Sequence, residues 1–152
     1  MAIGGYALFT KLRELTTHLP LISPQQIKVI PMPVTPRRRR ERGYNQCELL
    51  VGEIGRLDTD HRFQIISDLL IRTHHASRQT LKNRGERIES AKGIFGLDEE
   101  ALQKFKISNS EYFNETFIII DDVITTGSTM NEAMMTLKNA GFKNVFGLSL
   151  AH

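Results

Sequence analysis

The sequence predicts an α/β fold in which helices cover a doubly wound, mostly parallel sheet. Short, mostly apolar runs at 27–30, 117–120 and 145–150 alternate with segments whose apolar residues recur at helical spacing. Strands that alternate with helices are typical of a parallel sheet. The run at 117–120 is continuously apolar, which fits a central strand buried on both faces. We expect one domain over residues 1–152, since this length is typical of a single globular unit.

The first third of the chain predicts a helix, a strand and a second helix. Leucines recur at helical spacing before Pro20, which predicts a helix that ends there. Residues 27–30 predict a strand ended by Pro31, and the prolines that follow predict an extended or turned stretch into the arginine run at 37–42. After Asn45 a second helix is predicted by apolar residues at i, i+3, i+4, i+7 and i+10. These residues are Cys47, Leu50, Val51, Ile54 and Leu57.

The middle of the chain is less regular. Residues 69–71 and 94–97 predict short strands. Between them, the polar stretch 73–82 predicts a mobile loop, followed by a helix near 83–92. Residues 98–115 are polar and contain turn-forming asparagines, so we expect a linker without regular structure.

The last third predicts a strand, a helix and a final strand. After the buried run 117–120, Ser128 or Thr129 is expected to cap a helix, and Gly141 is expected to end it in the left-handed conformation. The residues predicted to face the core are Ala133, Met134, Leu137 and Ala140.

Composition and charge limit the classes of function. The chain has 20 Lys and Arg against 17 Asp and Glu, a surplus too small to indicate nucleic-acid binding by itself. No apolar run approaches the roughly 20 residues that span a bilayer. The start carries no signal-peptide pattern, and the lone Cys47 cannot form an internal disulfide, so we expect a cytoplasmic protein with no membrane insertion. Basic residues cluster at 37–42 and 78–87, which indicates an anionic ligand.

The segment 121–129 carries the chemistry. Asp121 and Asp122 follow the buried strand, and ligands bind at the carboxyl ends of strands in open α/β sheets. The hydroxyl-rich turn 125–129 then opens a helix, where backbone N–H groups and the helix dipole favour a phosphate. Adjacent carboxylates can accept hydrogen bonds from two ribose hydroxyls, so the combination predicts a ribose 5-phosphate site.

Each of these features also has a purely structural interpretation. The acidic pair could simply end a strand and the turn simply cap a helix, but we favour the ligand site because the two occur together. Neither a Walker A lysine nor a GxGxxG is present. The arginine run 37–42 could be a solvated basic turn or could contact pyrophosphate or nucleic acid. Cys47 is expected in the core rather than as a nucleophile, and Tyr44 could stack on a base or pack on its loop.

Residues 118–129, IIIDDVITTGST, resemble the signature of type I phosphoribosyltransferases that binds 5-phosphoribosyl-1-pyrophosphate (PRPP). Within that superfamily, 31–33 with 42–46 resemble the ComF family of competence-associated proteins, as do 78–95 and 147–151. The resemblance covers most of 25–152 and leaves 98–115 unmatched. ComF members often begin with a four-cysteine zinc module; this sequence has a single cysteine, so no tightly held zinc is expected.

The resemblance implies a sheet of the type I phosphoribosyltransferase kind and roles for individual residues. Mg²⁺ is implied as the cofactor, held through PRPP near the acidic pair rather than directly by the protein. The implied catalytic residues are Asp121, Asp122, Arg78 and Lys82. The implied substrate contacts are Asp121, Asp122, Thr125, Thr126, Gly127, Ser128, Thr129, Pro31, Met32 and Arg37. Contacts to nucleic acid are assigned to Arg38, Arg39, Arg40 and Arg42.

The sequence supports two main hypotheses of function. The first is a phosphoribosyltransferase that uses PRPP and Mg²⁺ on an acceptor base that the sequence does not reveal. The second is a non-enzymatic competence protein that senses PRPP or a nucleotide and contacts single-stranded DNA or a helicase-like ATPase. A nucleotide-responsive regulator is a third, weaker hypothesis, because no separate RNA-binding motif is present.

Overall fold

The structure is a computed structural model that describes residues 2–18, 27–73, 93–124 and 126–151. In chain order the elements of these residues are α1 (Ala2–Thr17), β1 (Ile27–Pro31), α2 (Pro36–Arg42), α3 (Gln46–Leu57), β2 (Phe63–Ile65), β3 (Leu70–Arg72), β4 (Phe95–Leu97), α4 (Glu99–Ser108), a short 3₁₀ turn (Tyr112–Asn114), β5 (Thr116–Val123), α5 (Ser128–Asn139) and β6 (Asn144–Ala151). None of these helices is long and apolar enough to cross a lipid bilayer.

Four strands form a parallel sheet in the order β2-β1-β5-β6. Each neighbouring pair is parallel, and β3 and β4 form a separate two-stranded antiparallel sheet. From β1 the chain first adds β2 on one side and later adds β5 on the other. The carboxyl ends of β1 and β5 are therefore a topological switch point, where open α/β sheets bind ligands.

Both faces of the sheet are buried, which confirms the doubly wound, mostly parallel architecture. Ile118 and Ile120 of β5 pack into one cluster with residues of α1 and α3. Phe117 and Ile119 pack into a second cluster with residues of α4 and α5. All four are at most 3% exposed. The run 117–120 is apolar at every position because successive side chains point to opposite faces and both faces are buried, as the sequence predicted.

Several local predictions are confirmed. The α3 helix begins after Asn45, whose side-chain oxygen accepts a hydrogen bond from the Cys47 backbone N–H at 3.0 Å. Gly141 has φ of +102°, as expected at the end of α5. The predicted helix end at Pro20, the loop and helix within 74–92, the catalytic candidates Arg78 and Lys82, and Thr125 lie outside the described residues.

The arginine run is helical, which the sequence did not predict, and the extended or turned stretch expected from the prolines is limited to residues 32–35. Pro36 occupies the first helical position, where its fixed φ suits a helix and its missing N–H is not needed. The Thr35 hydroxyl accepts a hydrogen bond from the Arg38 backbone N–H at 3.2 Å. Gly43, with φ of +77°, ends the helix by donating its N–H to the Arg39 carbonyl at 2.8 Å. Proline therefore starts this helix rather than preventing it.

Residues 98–115 also form regular structure, contrary to the sequence prediction. Asp98 caps α4 by accepting a hydrogen bond from the Ala101 N–H at 2.9 Å. The helix buries Phe105 against Phe117 and Phe142, with ring centroids 5.5 and 6.0 Å away. Because Phe105 is the only fully buried residue of α4, the segment looks polar in sequence. The short strand β2 was likewise not predicted.

Candidate functional site

A cavity of about 380 Å³ lies at the carboxyl ends of β1 and β5. The chain after β1 contributes Met32 and its two successors, and the chain from Asp121 to Ile124 contributes the end of β5. The Met32 N–H donates to the Ile120 carbonyl at 2.8 Å, which continues the pairing of the two strands to the cavity edge. The cavity thus occupies the switch point of the sheet.

The acidic pair lies within β5, which extends to Val123 rather than ending before the aspartates. Both aspartates are partly buried and line the cavity. Asp121 Oδ1 accepts a hydrogen bond from the Asp122 backbone N–H at 2.9 Å. Burial raises the pKa of Asp121 above its ordinary value, and the neighbouring Asp122 raises it further. A cation or a hydroxyl donor at this position would relieve that cost.

Cys47 lies directly behind the acidic pair and belongs to the core, as the sequence predicted. Its Sγ lies 3.5 Å from Asp121 Oδ1. Burial, together with the negative charges of Asp121 and Asp122, raises the pKa of the thiol to about 12. The thiol therefore stays protonated at neutral pH, where it donates a hydrogen bond to the carboxylate and is a poor nucleophile.

This buried thiol predicts a pH dependence of stability. The folded pKa of about 12 exceeds the ordinary value of 9.0, so between these values the unfolded chain loses a proton that the folded chain keeps. Stability should therefore fall as pH rises through this window, by up to about 1.4 kcal/mol per pH unit. Urea unfolding of the wild type and Cys47→Ala at pH 8 to 10.5 checks this. A parallel decline in both proteins would contradict it.

The turn before α5 forms the proposed phosphate cradle. Gly127 has φ of +77° and is the N-cap residue, with no side-chain cap, so the expected capping by Ser128 or Thr129 was wrong. The Thr126 and Ser128 hydroxyl oxygens lie 2.9 Å apart. The backbone N–H groups of the first turn and the helix dipole make this end of α5 favourable for an anion. Thr126, Gly127 and Thr129 line the cavity.

Because α2 is helical, some side chains of the arginine run form ion pairs with glutamates and others line the cavity. Arg37 pairs with Glu41 at 2.7 Å, and Arg39 binds both carboxylate oxygens of Glu48 at 2.6 and 3.0 Å. Arg38 and Arg42, one helical turn apart, line the cavity. The structure therefore does not bring the substrate candidate Arg37 to the cavity, whereas it does bring two nucleic-acid candidates there.

Of the remaining candidate site residues, some line the cavity and others lie outside it. Met32 is buried and lines the cavity, whereas Pro31, the last residue of β1, is buried outside the lining. Arg40 is exposed and also lies outside the lining. Ser128 is not part of the lining, although its hydroxyl contacts Thr126.

The cavity lining includes residues that the sequence analysis did not assign to the site, among them Asn45 and Arg72. The Asn45 side-chain amide donates to the Met32 carbonyl at 3.0 Å, so one residue caps α3 and fixes the backbone of the cavity wall. Arg72, at the end of β3, also lines the cavity. A basic residue at the carboxyl end of a predicted strand was the available signal for Arg72. Asn45 offered only its capping position.

The donor atoms near the acidic pair fit Mg²⁺. Cys47 Sγ and one carboxylate oxygen from each of Asp121 and Asp122 lie within 4.8 Å of one another. Mg²⁺ prefers oxygen ligands and is commonly held by one or two carboxylates together with substrate phosphates. The protonated thiol is not a ligand for it, so the two carboxylates are the relevant donors.

Comparisons with known proteins agree with this geometry. Residues 78–148 match the family model of the phosphoribosyl transferase domain. The chain is 32% identical over 126 residues to Competence protein F of Haemophilus influenzae, and 30% identical over 126 residues to Competence protein ComFC of Streptococcus pneumoniae. The chain is similar to these ComF-type competence proteins over most of its own length. The resemblance predicted from sequence is thereby confirmed, and so is the type I phosphoribosyltransferase fold class.

The similarity covers a larger share of this chain than of either relative. The matches cover 81% and 83% of this chain but only 50% and 48% of the two relatives, so the chain spans about half their length. The matched phosphoribosyl transferase segment contains β5, the acidic pair and the start of α5. The arginine-bearing α2 lies before that segment.

Proposed function

We propose that this ComF-type protein binds PRPP, or a related ribose phosphate, in the cavity at the ends of β1 and β5. The supporting observation is that the acidic pair of β5 and the phosphate cradle of α5 line one cavity. Carboxylates accept hydrogen bonds from ribose hydroxyls, and the helix N-terminus takes the 5′-phosphate. A ribose phosphate would use the carboxylates and the helix N-terminus at the same time.

In this proposal Mg²⁺ is the cofactor and belongs near Asp121 and Asp122. It would screen the negative charge of the phosphates beside the carboxylates. The Cys47 thiol and the Asp122 backbone N–H both donate to Asp121, which orients its carboxylate. Thr125, Arg78 and Lys82 remain proposed contacts from the family resemblance alone. The single thiol in the chain is typical of a cytoplasmic protein, and we include that localisation in the proposal.

The reaction that the fold supports is displacement of pyrophosphate from the ribose anomeric carbon by an acceptor. Pyrophosphate release from PRPP across a panel of bases would distinguish an enzyme from a binding protein. Binding itself is tested by the melting temperature. A ligand present at 100 times its Kd stabilises the fold by about 2.7 kcal/mol, which corresponds to roughly 5–10 °C for a domain of this size. No change with millimolar PRPP and Mg²⁺ would contradict the ribose-phosphate function.

A second candidate function is non-enzymatic contact with single-stranded DNA, together with a helicase-like ATPase partner. It is favoured by the basic helix α2, on which Arg40 is exposed. The names of the relatives refer to competence, which supports a role in that process. The ion pairs of Arg37 and Arg39 reduce the charge that α2 can offer to phosphates, so we rank this function second.

The DNA candidate predicts a specific salt dependence. Oligonucleotide affinity should fall linearly with salt on a log-log plot, with a slope of about −0.7 per neutralised phosphate. Replacing Arg38, Arg39 and Arg40 by Ala should flatten that slope. Arg40→Ala alone should flatten it without changing PRPP binding, because Arg40 lies outside the cavity. Fluorescence anisotropy at several salt concentrations measures it, and an unchanged slope in the triple variant would exclude α2 as the DNA contact.

A further inference from the structure

The two edges of the parallel sheet differ in how they are protected. The edge strand β2 has three residues and follows the charged residues Asp60 and Arg62. The opposite edge strand, β6, has eight residues, Asn144–Ala151, and contains no charged residue and no proline. Short length, charges and prolines are the usual means of keeping an edge strand from pairing with another chain. The edge formed by β6 has none of these protections.

The outer side of β6 presents backbone groups that can pair with a further strand. Its inner side pairs with β5 over the whole length of the strand. Successive residues of a strand direct their N–H and C=O groups to opposite sides, so every second residue of β6 directs them away from β5. Within the ranges that the structure describes, only β5 and the residue after it, Ile124, form backbone hydrogen bonds with β6. An extended chain is the partner that such an edge fits.

Two exposed apolar side chains lie along this edge. Phe146 and Leu150 are 44% and 42% exposed. They share a face of the sheet with Leu148, since alternate residues of a strand point the same way. Leu148 packs into the cluster formed with α1 and α3, and Leu150 lies beside α1, where a Cβ added at Gly4 would be 3.0 Å from its Cδ2. Phe146 and Leu150 therefore extend this apolar cluster to the sheet edge.

The spacing of Phe146 and Leu150 is self-complementary. Each lies two residues from Leu148, so two identical strands paired antiparallel about a two-fold axis at Leu148 place Phe146 of each copy opposite Leu150 of the other. Side chains directly opposite in an antiparallel pair have Cβ atoms about 4.5–5.5 Å apart. Both exposed side chains are then covered in both copies. The contact uses the same surface twice, so it closes at two chains.

Charge also favours a second copy as the occupant of this edge. Because β6 has no charged residue, self-pairing places no like charges opposite each other. A strand with acidic or basic residues would find no opposite charge on β6, and its own charges would lose water at an apolar contact. A second β6 matches the edge in hydrogen bonding, in apolar contacts and in charge.

We propose that β6 is a homodimer interface, in which the β6 strands of two copies pair antiparallel and join their four-stranded sheets into one continuous sheet. Leu148 lies at the two-fold axis. No residue of β6 lines the cavity at the ends of β1 and β5. The interface is therefore separate from the candidate ligand site, and the inference does not depend on the ribose-phosphate function.

Sedimentation velocity over a series of protein concentrations tests the dimer, and charge variants test the strand pairing. We expect the wild type to dimerise, and Phe146→Lys and Leu150→Glu each to raise the dimer Kd on the order of 10-fold or more, because each sets two unpaired charges against apolar side chains. Ile107→Lys, at an exposed apolar residue of α4, is the control and should match the wild type.

Combining the two charge variants tests the register. Phe146→Lys/Leu150→Glu should recover most of the lost affinity, since it places opposite charges across both contacts. Positions 146 and 150 are about 13 Å apart along one strand, so this recovery cannot arise within a single chain. The cation and the anion must come from different copies.

Oxidative cross-linking checks the same register with uncharged substitutions. Phe146→Cys/Leu150→Cys should give a disulfide-linked dimer on a non-reducing gel, since directly opposite Cα atoms lie within the roughly 7 Å that a disulfide spans. Either single-cysteine variant should not, because the same position in the two copies is then at least about 13 Å apart. The wild type, whose Cys47 is buried, gives the background.

Each outcome supports or overturns the interface. A wild type that stays monomeric at all concentrations, and a double-cysteine variant that does not cross-link, would overturn it; a partner strand from another protein would then be the occupant. A dimer that Phe146→Lys and Leu150→Glu leave unchanged would place the contact away from β6. Cross-linking of a single-cysteine variant would contradict the register. Circular dichroism that matches the wild type shows that a variant loses the dimer without misfolding.

Discussion

Replacing Asp121 and Asp122 together by Asn should abolish the rise in melting temperature that PRPP and Mg²⁺ give the wild type. The amides keep the size of the side chains but remove both negative charges and the oxygen ligands suited to Mg²⁺. Two hydrogen-bond acceptors for ribose hydroxyls are weakened at the same time. Differential scanning fluorimetry over a PRPP series in Mg²⁺ measures the effect, with Asp68→Asn, an exposed aspartate outside the cavity, as the control.

The ligand-free double variant should melt at the same temperature as the wild type or higher. The pKa of Asp121 is raised in the fold, mainly by burial, so the folded chain holds this proton to a higher pH than the unfolded chain. Ionisation of Asp121 therefore costs stability as pH rises from about 4 through the folded pKa, and the cost persists at neutral pH. Asn has no such cost. A variant that keeps the full ligand shift would show that the ribose phosphate binds elsewhere.

The sheet and the site centre were predictable because their signals are local. The run 117–120 is apolar at every position, which only burial on both faces explains, and the aspartates follow it directly. The cradle 126–129 is also contiguous in sequence. The parallel topology explains the position of the site, since neighbouring parallel strands bring their carboxyl ends to one edge of the sheet. The fold class and the acidic pair thus required no knowledge of distant contacts.

The helices α2 and α4 were missed for different physical reasons. In α2 the prolines were taken as helix breakers, although Pro36 at the first position favours a helix. Had the helix been recognised, the four-residue spacing would have paired Arg37 with Glu41 and placed Arg38 and Arg42 on one face. In α4 the apolar surface is narrow and is buried by the aromatic side chains of Phe117 and Phe142. Those contacts are tertiary and leave little periodicity in the sequence.

The roles of Cys47 and Arg72 depend on contacts between residues far apart in the chain. Cys47 meets Asp121 across 74 positions, and its helical spacing predicted burial but not this partner. Arg72 reaches the cavity because the β3-β4 pair lies against α5, where Glu132 accepts a hydrogen bond from the Ile94 N–H. Sequence spacing does not report such pairings, which is why the cavity wall was less predictable than the cradle.

Gly127→Val should cost both stability and phosphate binding. Gly127 has φ of +77°, a region that costs an L-residue about 1–2 kcal/mol and a β-branched residue more. A Cβ there would meet Ile124 Cγ2 at 3.9 Å, an ordinary contact, so the penalty comes from the backbone rather than from a clash. To relieve it the turn must change conformation, which moves the N–H groups at the start of α5 away from the phosphate position. We expect ribose 5-phosphate affinity to fall below detection.

Gly141→Val is the matched control for that variant. Gly141 also has positive φ, at +102°, with nothing within 4 Å of an added Cβ, but it lies beyond the opposite end of α5. Its substitution should lower the melting temperature by a comparable amount while leaving the affinity for ribose 5-phosphate unchanged. Calorimetry on both variants, below their melting temperatures, separates backbone strain from loss of the cradle. If Gly127→Val binds ribose 5-phosphate as tightly as Gly141→Val does, the N-terminus of α5 is not the phosphate site, and the anion must bind through the cavity arginines instead.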